Sequence, residues 1–332
     1  MTGFFWAFFA LLQIFASHQF DRKLDNFVFG SCNKHQRDTN TWESILNTNS
    51  DLVLILGDLM YSNTYDANEY QQHLNLLYQQ RGFSDLLRNV DMITIWDDHE
   101  YGKDNDGIEN PFKYQAQQLY LDFFQIPDHS PRRYRQGIYD SYTYGSGEQM
   151  VKILLLDTRF NKEVNSSDGD ILGEEQWLWL ENELAQSEAK IHFITSTISV
   201  LTKAAPGIES WYDLPKAKRR LFALLDKYDV PGVIFLSGDL HIGAILSDRI
   251  QDKQYFELMS SGLNNQVPKN LRFPLRLLLP DVYMQFEKNF GQVRIHWEKS
   301  PLELSYLINK DTGKRIHRQD FVLLNKTWQM KH

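Results

Sequence analysis

Five apolar runs in this chain each stop at a polar cluster that can bind metal. That repeated ending constrains the fold more than any other feature. Asn26–Gly30 runs into Ser31-Cys32-Asn33, and Leu52–Leu56 into Gly57-Asp58-Leu59-Met60-Tyr61. Met92–Trp96 runs into Asp97-Asp98-His99-Glu100, Val151–Leu156 into Asp157-Thr158-Arg159, and Gly232–Leu236 into Ser237-Gly238-Asp239-Leu240-His241. These runs, with Ile191–Ser196, are rich in β-branched and aliphatic residues and predict buried strands. Helical spacing of apolar residues lies between them, at Glu69–Gln80, Lys113–Phe124, Gly173–Gln186 and Leu214–Lys227. Strand alternating with helix predicts an α/β fold. In such folds the crevice at the carboxyl ends of the strands is where ligands bind, so residues far apart in sequence converge there. Near the end of the chain, Gln292–Trp297 and Glu303–Leu307 alternate apolar and polar residues, and another pair flanks the turn Lys310–Gly313. They predict antiparallel strands closing a sheet. No repeat or Pro/Gly-rich linker divides the chain, which predicts one domain with a mixed core.

The strand endings carry the chemistry. Cys32, Asp58, Asp98, Asp239 and His241 cannot crowd into one crevice without a counter-charge, and two or more metal ions would supply it. Glycine before Asp58 and Asp239 permits the tight turn that aims each carboxylate into the crevice. Each motif also has a plain structural reading. Gly-Asp after a strand is commonly a turn, Asp-Asp-His-Glu can cap a helix N-terminus, and Tyr61 alone would be a packing residue. The joint occurrence at successive strand ends favours a metal centre.

Composition limits the alternatives. Apolar residues make up 42% and charged residues 23% of 332, a globular balance. A net charge of -8 argues against a nucleic-acid binder, which is normally basic. Phe4–Ala16 is an uncharged apolar stretch, shorter than the roughly 20 residues that span a bilayer. With small residues Ala16 and Ser17 at its end, the stretch predicts a secretory signal over 1–17, a mature domain over 18–332, and a secreted or lumenal protein, with an uncleaved anchor or a buried N-terminal helix as the alternative. No second stretch of that kind occurs, so no transmembrane span is expected. The triplets Asn165-Ser166-Ser167 and Asn325-Lys326-Thr327 fit a secretory route. The single cysteine, Cys32, excludes an internal disulfide. It is left as a core filler, a reactive thiol or a metal ligand.

Taken in order, FGSCNK (29–34), LGDLMY (56–61), WDDHEYGKDN (96–105), LDTR (156–159), GEEQWLWLENEL (173–184), ESW (209–211), LSGDLH (236–241), ELMSSGL (257–263) and NFG (289–291) resemble the alkaline phosphatase D-like (PhoD-like) branch of the calcineurin-like metallophosphoesterases. The resemblance implies a four-layer α/β/β/α sandwich and a site of one ferric ion with calcium. The extra N-terminal β-domain of the family's bacterial members is expected to be absent. The residues fit that division of metals. Cys32 and the phenol of Tyr61, with Asp58 and His241, are soft and anionic ligands suited to iron, whereas Asp58, Asp98 and Asp239 offer only oxygen, which suits calcium or magnesium. The resemblance implies that a further histidine often comes from the strand over Ile191–Val200; this chain has Thr195-Ser196-Thr197 there and none after His192, which favours an oxygen-rich second site over one for zinc or manganese, although Mg2+, Mn2+ and Zn2+ stand as substitutes. Asn105 is a candidate to complete that site. Asn33 and Asp97 are further candidates for metal or substrate.

The function expected is hydrolysis of phosphate monoesters by in-line attack of a metal-bridging hydroxide. His99 is the candidate to protonate the leaving oxygen, with a structural hydrogen bond as its alternative. Arg159 is the candidate clamp for non-bridging oxygens, with a salt bridge to a site aspartate as its alternative. A phosphodiesterase using the same two metals is the second reading, and a non-catalytic secreted metal-binding protein the third. A monomer acting on a phosphate-ester substrate is expected.

Overall fold

The computed structural model describes residues 18–163, 166–203, 207–279 and 283–331. The signal segment expected over 1–17 lies outside the described residues, as does Asn165 of the first triplet. Asn325 of the second is exposed at a hairpin turn with positive φ.

The apolar runs are strands whose two faces are both buried, which is why they read as continuous rather than alternating. In β6 (Val151–Leu155), Val151, Ile153 and Leu155 enter one core and Leu154 the other. The same period of two divides Phe193 from Ile194 in β7 (Ile191–Ser196) and Ile234 from Phe235 in β8 (Val233–Ser237). These strands belong to a sheet ordered β1-β5-β6-β7-β8-β10-β9-β11, with β1 at His18–Phe20, β5 at Asp140–Tyr144, β9 at Gly243–Ile250, β10 at Lys253–Ser260 and β11 at Tyr283–Gln285. The second sheet is ordered β15-β14-β13-β12-β2-β3-β4, with β2 at Asn26–Gly30, β3 at Leu52–Leu56, β4 at Met92–Ile95, β12 at Asn289–His296, β13 at Glu303–Lys310, β14 at Arg315–Leu324 and β15 at Thr327–Met330.

Phe27 of β2 meets Phe193 of β7 edge-on at 5.0 Å, and Phe256 of β10 meets Phe321 of β14 at 5.0 Å. These contacts join the inner faces of the two sheets, and each such buried ring contributes about 1.5–3 kcal/mol. Helices cover both outer faces. α1 (Thr41–Leu46), α2 (Ala67–Gln79), α3 (Phe83–Asn89) and α5 (Lys113–Phe123) lie with the β2-β3-β4 sheet, the short α4 (Asp98–Tyr101) follows β4, and α6 (Gly173–Ala185) and α7 (Pro215–Lys227) cover the other sheet. α8 (Lys269–Leu278) packs Leu275 against the core beside that sheet. The architecture is the four-layer α/β/β/α sandwich expected.

Strands β2, β3 and β4 are mutually parallel, as are β6, β7, β8 and β10. Their carboxyl ends meet across the two sheets. The Ser31 N–H donates to the Ser260 carbonyl at 3.2 Å, and the Leu263 N–H to the Ser31 carbonyl at 3.1 Å. The polar endings therefore form one cluster.

Candidate metal centre

Local backbone conformation aims the donors. Cys32, Asp58, Asp239 and His241 have φ of 63°, 53°, 67° and 56°, in the left-handed region that side chains disfavour. Each such residue costs about 1–3 kcal/mol and persists only where its surroundings demand it. Gly57, at φ 83°, makes the turn before Asp58 feasible. A Cβ there would sit 2.4 Å from the Asp97 Cβ, so only glycine fits.

Two groups of donors result, and Asp58 belongs to both. The ligating atoms of Cys32, Asp58 and His241 lie within 4.8 Å of one another, and so do those of Asp58, Asp98 and His99. One ion bound at about 2.0–2.5 Å from each donor can span such separations. Tyr61 Oη completes the first group, 3.1 Å from Asp58 Oδ2 and 3.0 Å from His241 Nε2. Asn265 Nδ2 reaches Tyr61 Oη at 3.0 Å and His241 Nε2 at 3.1 Å. The Ser261 hydroxyl accepts the His241 N–H at 2.6 Å.

Asp97 and Glu100 close a capping box around α4, so the helix-cap reading of Asp-Asp-His-Glu holds alongside the metal reading. Glu100 does more than cap. Its carboxylate accepts the N–H groups of Asp58 at 2.9 Å and Met60 at 3.1 Å, and that of Leu59, and so fixes the loop bearing the shared ligand. Burial pushes its carboxyl up to about 8 against the pull of those N–H groups.

The family comparison bears on the chemistry of the chain. The sequence pattern of the PhoD-like phosphatases matches residues 27–300. The chain belongs to the PhoD-like phosphatase family. It is therefore a hydrolase acting on phosphate esters. Its fold is similar to a solved structure of PhoD, with a TM-score of 0.73 at 16% identity over 96% of this chain and 73% of that one. A Staphylococcus aureus protein provisionally assigned as a 5'-nucleotidase, crystallised with alpha-ketoglutarate, gives a TM-score of 0.39 at 11% identity over 92% of this chain and 54% of that one, too distant to argue from. No curated protein matches the chain.

The donors of this PhoD-like chain fit metal ions. Burial and then the charge of Asp98 hold the Asp58 carboxyl well above the usual carboxylate range. Burial and then Asp97 do the same to Asp239. Cys32 is raised by burial and then by Asp58, and Tyr61 by the same two causes. Asp58 Oδ1 is buried without a hydrogen-bond partner. A cation reverses every one of these penalties, because it favours each deprotonated form. His241 is depressed to about 4 by burial and then by Lys34, which leaves its ring neutral and able to ligate.

Other candidates occupy different places. Asp239 belongs to neither donor group, though its carbonyl oxygen lies 3.7 Å from Cys32 Sγ. Asn105 holds Asp98 through its backbone, its N–H donating to Asp98 Oδ2 at 2.6 Å, while its side chain turns to Asp104. Asn33 is turned away from metal and substrate: its amide donates to the Leu59 carbonyl at 2.9 Å and to Gln80 Oε1 at 2.8 Å, and its oxygen accepts from Asn264 at 2.9 Å. Asp97 is held by Arg159 and by the Thr197 hydroxyl at 2.6 Å.

Arg159 requires a correction. The expected clamp is wholly buried beneath the carboxylates. Its Nε donates to Asp97, Nη1 lies 2.7 Å from Glu209 Oε2, and Nη2 lies 3.9 Å from Asp98 Oδ1. Lys162 Nζ lies 2.7 Å from the other oxygen of Glu209. A guanidinium with no exposure, set among these carboxylates, fits the salt-bridge alternative.

Sequence reading missed Glu209, Lys162, Asn265 and Lys34, and it found Glu100 as a cap but not as the holder of the Asp58 loop. Glu209 lies within the quoted ESW string but had no strand ending to mark it. Lys34 Nζ lies over the Tyr61 ring, 5.3 Å from its centroid. Its backbone is pinned by Asn264, which accepts the Lys34 N–H at 2.6 Å and donates to its carbonyl at 3.1 Å. Among the described residues no carboxylate pairs with it.

Proposed function

We propose that this PhoD-like chain is a secreted metal-dependent phosphatase that hydrolyses phosphate monoesters at a centre of ferric iron and calcium. The observation that carries the reading is Asp58 shared between two donor groups of different chemistry. Cys32, Tyr61, Asp58 and His241 would hold the iron, and Asp58, Asp98 and Asp239 the calcium. His99 stands at the edge of the latter. Bound there, the ions supply Lewis acidity toward the phosphoryl oxygens and make water more acidic.

Protein groups provide the rest. His99 packs on Tyr61 with ring centroids 4.1 Å apart, and its Nδ1 faces Asn63 Oδ1 at 2.6 Å. Because an amide oxygen only accepts, Nδ1 carries the proton in the neutral ring and Nε2 is free. Protonation at Nε2, 3.8 Å from Asp104, equips His99 to donate to a leaving alkoxide. Burial lowers its affinity for that proton, so it is readily surrendered. Lys34 takes the clamp role in place of Arg159, as an unpaired cation beside the donors.

Secretion rests on the uncharged run Phe4–Ala16 and predicts a mature N-terminus near Ser17 or His18. The deciding experiment measures metal content together with turnover of a chromogenic monoester and diester, with and without added calcium. Faster diester turnover replaces the monoester reading with the diesterase one, and no turnover by a fully metal-loaded protein overturns both. Cys32→Ser tests the iron assignment. It should lose iron and the thiolate part of the visible absorption while keeping most calcium, because serine remains protonated near neutral pH. Stoichiometric iron with an unchanged spectrum removes Cys32 from the ligand set.

A further inference from the structure

Helix α8 (Lys269–Leu278) has one face without a partner. Leu275, with Leu279 just beyond the helix, turns inward to the core beneath. Phe273 and Leu277, four residues apart and so on one side, turn outward and are 71% and 65% exposed, while Leu271, on the side of Leu275, is 51% exposed. Large apolar side chains clustered on one short helix mark a contact surface, whereas single exposed ones do not.

Charge says what the contact is. Between Glu257 and Asp281 the chain has no Asp or Glu but carries Lys269, Arg272 and Arg276, on a protein of net charge -8. Both arginines lie against the Phe286 ring, at 5.6 and 5.5 Å from its centroid. Arg272 donates to the Val267 carbonyl at 3.1 Å and Arg276 to the Met284 carbonyl at 3.4 Å. Among the described residues no carboxylate neutralises any of the three cations. An apolar pair flanked by cations that no described carboxylate neutralises matches the boundary of an anionic bilayer, where acyl chains lie beside phosphate headgroups. A second copy of this acidic chain matches less well, since pairing the same face would oppose like charges.

We propose that α8 seats the protein on an anionic phospholipid surface. Phe273 and Leu277 enter the headgroup boundary while Lys269, Arg272 and Arg276, beside them around the helix, meet its phosphates. The seat joins the metal centre through one short strap. Asn265, which reaches Tyr61 and His241, is followed by Gln266, whose side chain donates to the Phe286 carbonyl at 3.1 Å. Three residues further on, the helix begins.

The test sediments the purified mature protein with phosphatidylcholine vesicles and with vesicles that also carry phosphatidylserine. Binding should require phosphatidylserine and weaken as salt rises. Phe273→Ser with Leu277→Ser, and separately Lys269→Gln with Arg276→Gln, should each weaken binding at least about tenfold. Absent binding, equal binding to neutral vesicles, or binding indifferent to both pairs overturns the proposal. So does a vesicle-free dimer that Phe273→Ser with Leu277→Ser dissociates, because a second copy then covers the face. Hydrolysis of a soluble chromogenic ester should be unchanged in both variants, which checks their folding. The parent's dependence on phosphatidylserine and salt decides the matter even where a variant misfolds. A parent that binds vesicles but hydrolyses nothing sinks the catalytic reading and leaves the seat standing.

Discussion

The two sides of Asp58 differ in how they tolerate burial. On one side, Cys32, Tyr61, His241 and Asn265 contact one another as neutral groups. That side has no buried cation of its own and gains charge only when a metal removes its protons. On the other, Asp97, Asp98 and Glu209 surround Arg159, and Lys162 closes the chain of charges. That side is held by the protein's own cations before any metal arrives. One site thus shows two solutions to the cost of burying polar groups: protonation, or an internal counter-ion.

Asp58→Asn should break both sides together. Hydrolysis should fall by on the order of 10³-fold, about 4 kcal/mol of barrier, and metal content should drop for both kinds of ion. Circular dichroism should stay native. The metal-free variant should be no less stable than the metal-free parent, because an uncompensated buried carboxyl has gone. Near-parental turnover would remove Asp58 from the shared position.

Arg159→Met should separate the sides. It strands Asp97 and leaves Glu209 with Lys162 alone, a loss of about 3–5 kcal/mol in urea unfolding. The same measurement on metal-free protein should show the full loss, since this cation acts without metal. A loss below about 1 kcal/mol would mean that the oxygen-rich side is not held by its own counter-ion.

A control comes from the opposite end of β7. His192 Nδ1 donates to the Pro231 carbonyl at 2.8 Å, and Nε2 lies 2.7 Å from the Ser187 hydroxyl. Burial depresses the ring from 6.5 to about 4. The unfolded chain therefore binds a proton near pH 6.5 that the native chain refuses. This contribution is complete above pH 6.5 and declines as pH falls toward 4, by up to about 3 kcal/mol. His192→Asn should flatten that limb, and chelation should leave it unchanged. A limb that moves with metal content would tie it to the centre instead.

Lys34→Gln is the mildest change. It should lower kcat/KM about tenfold, or 1.4 kcal/mol, mainly through KM, and Lys34→Arg should restore part of it. Unaltered kinetics would leave the substrate's charge to the metals alone.

Strand positions were legible because burial on both faces writes itself as an unbroken apolar run. Asn26–Gly30, Leu52–Leu56 and Ile191–Ser196 agree residue for residue, and Met92–Ile95 differs by one. β5, Asp140–Tyr144, was missed because it is polar in composition though buried throughout. β9 and β10 were missed because Ser247, Asp248 and Arg249 interrupt the apolar pattern near their hairpin. The division of strands between two sheets left no local trace beyond the family resemblance, since partners are chosen by long-range packing. α8 rests one side on the core and exposes the other.

By itself, the sequence determined which residues stand at strand ends and hence that Cys32, Asp58, Asp98, Asp239 and His241 would gather. Backbone period and burial are local properties, and each polar ending stops its own strand. The tertiary structure alone decided that Arg159 faces inward and Lys34 stands beside the donors. It also divided the donors around Asp58. A long cationic side chain goes where the nearest uncompensated charge lies, and for Arg159 that charge is Asp97, 62 residues away in the chain. No local pattern encodes such a distance, because Coulomb attraction acts through space once folding has brought the groups together.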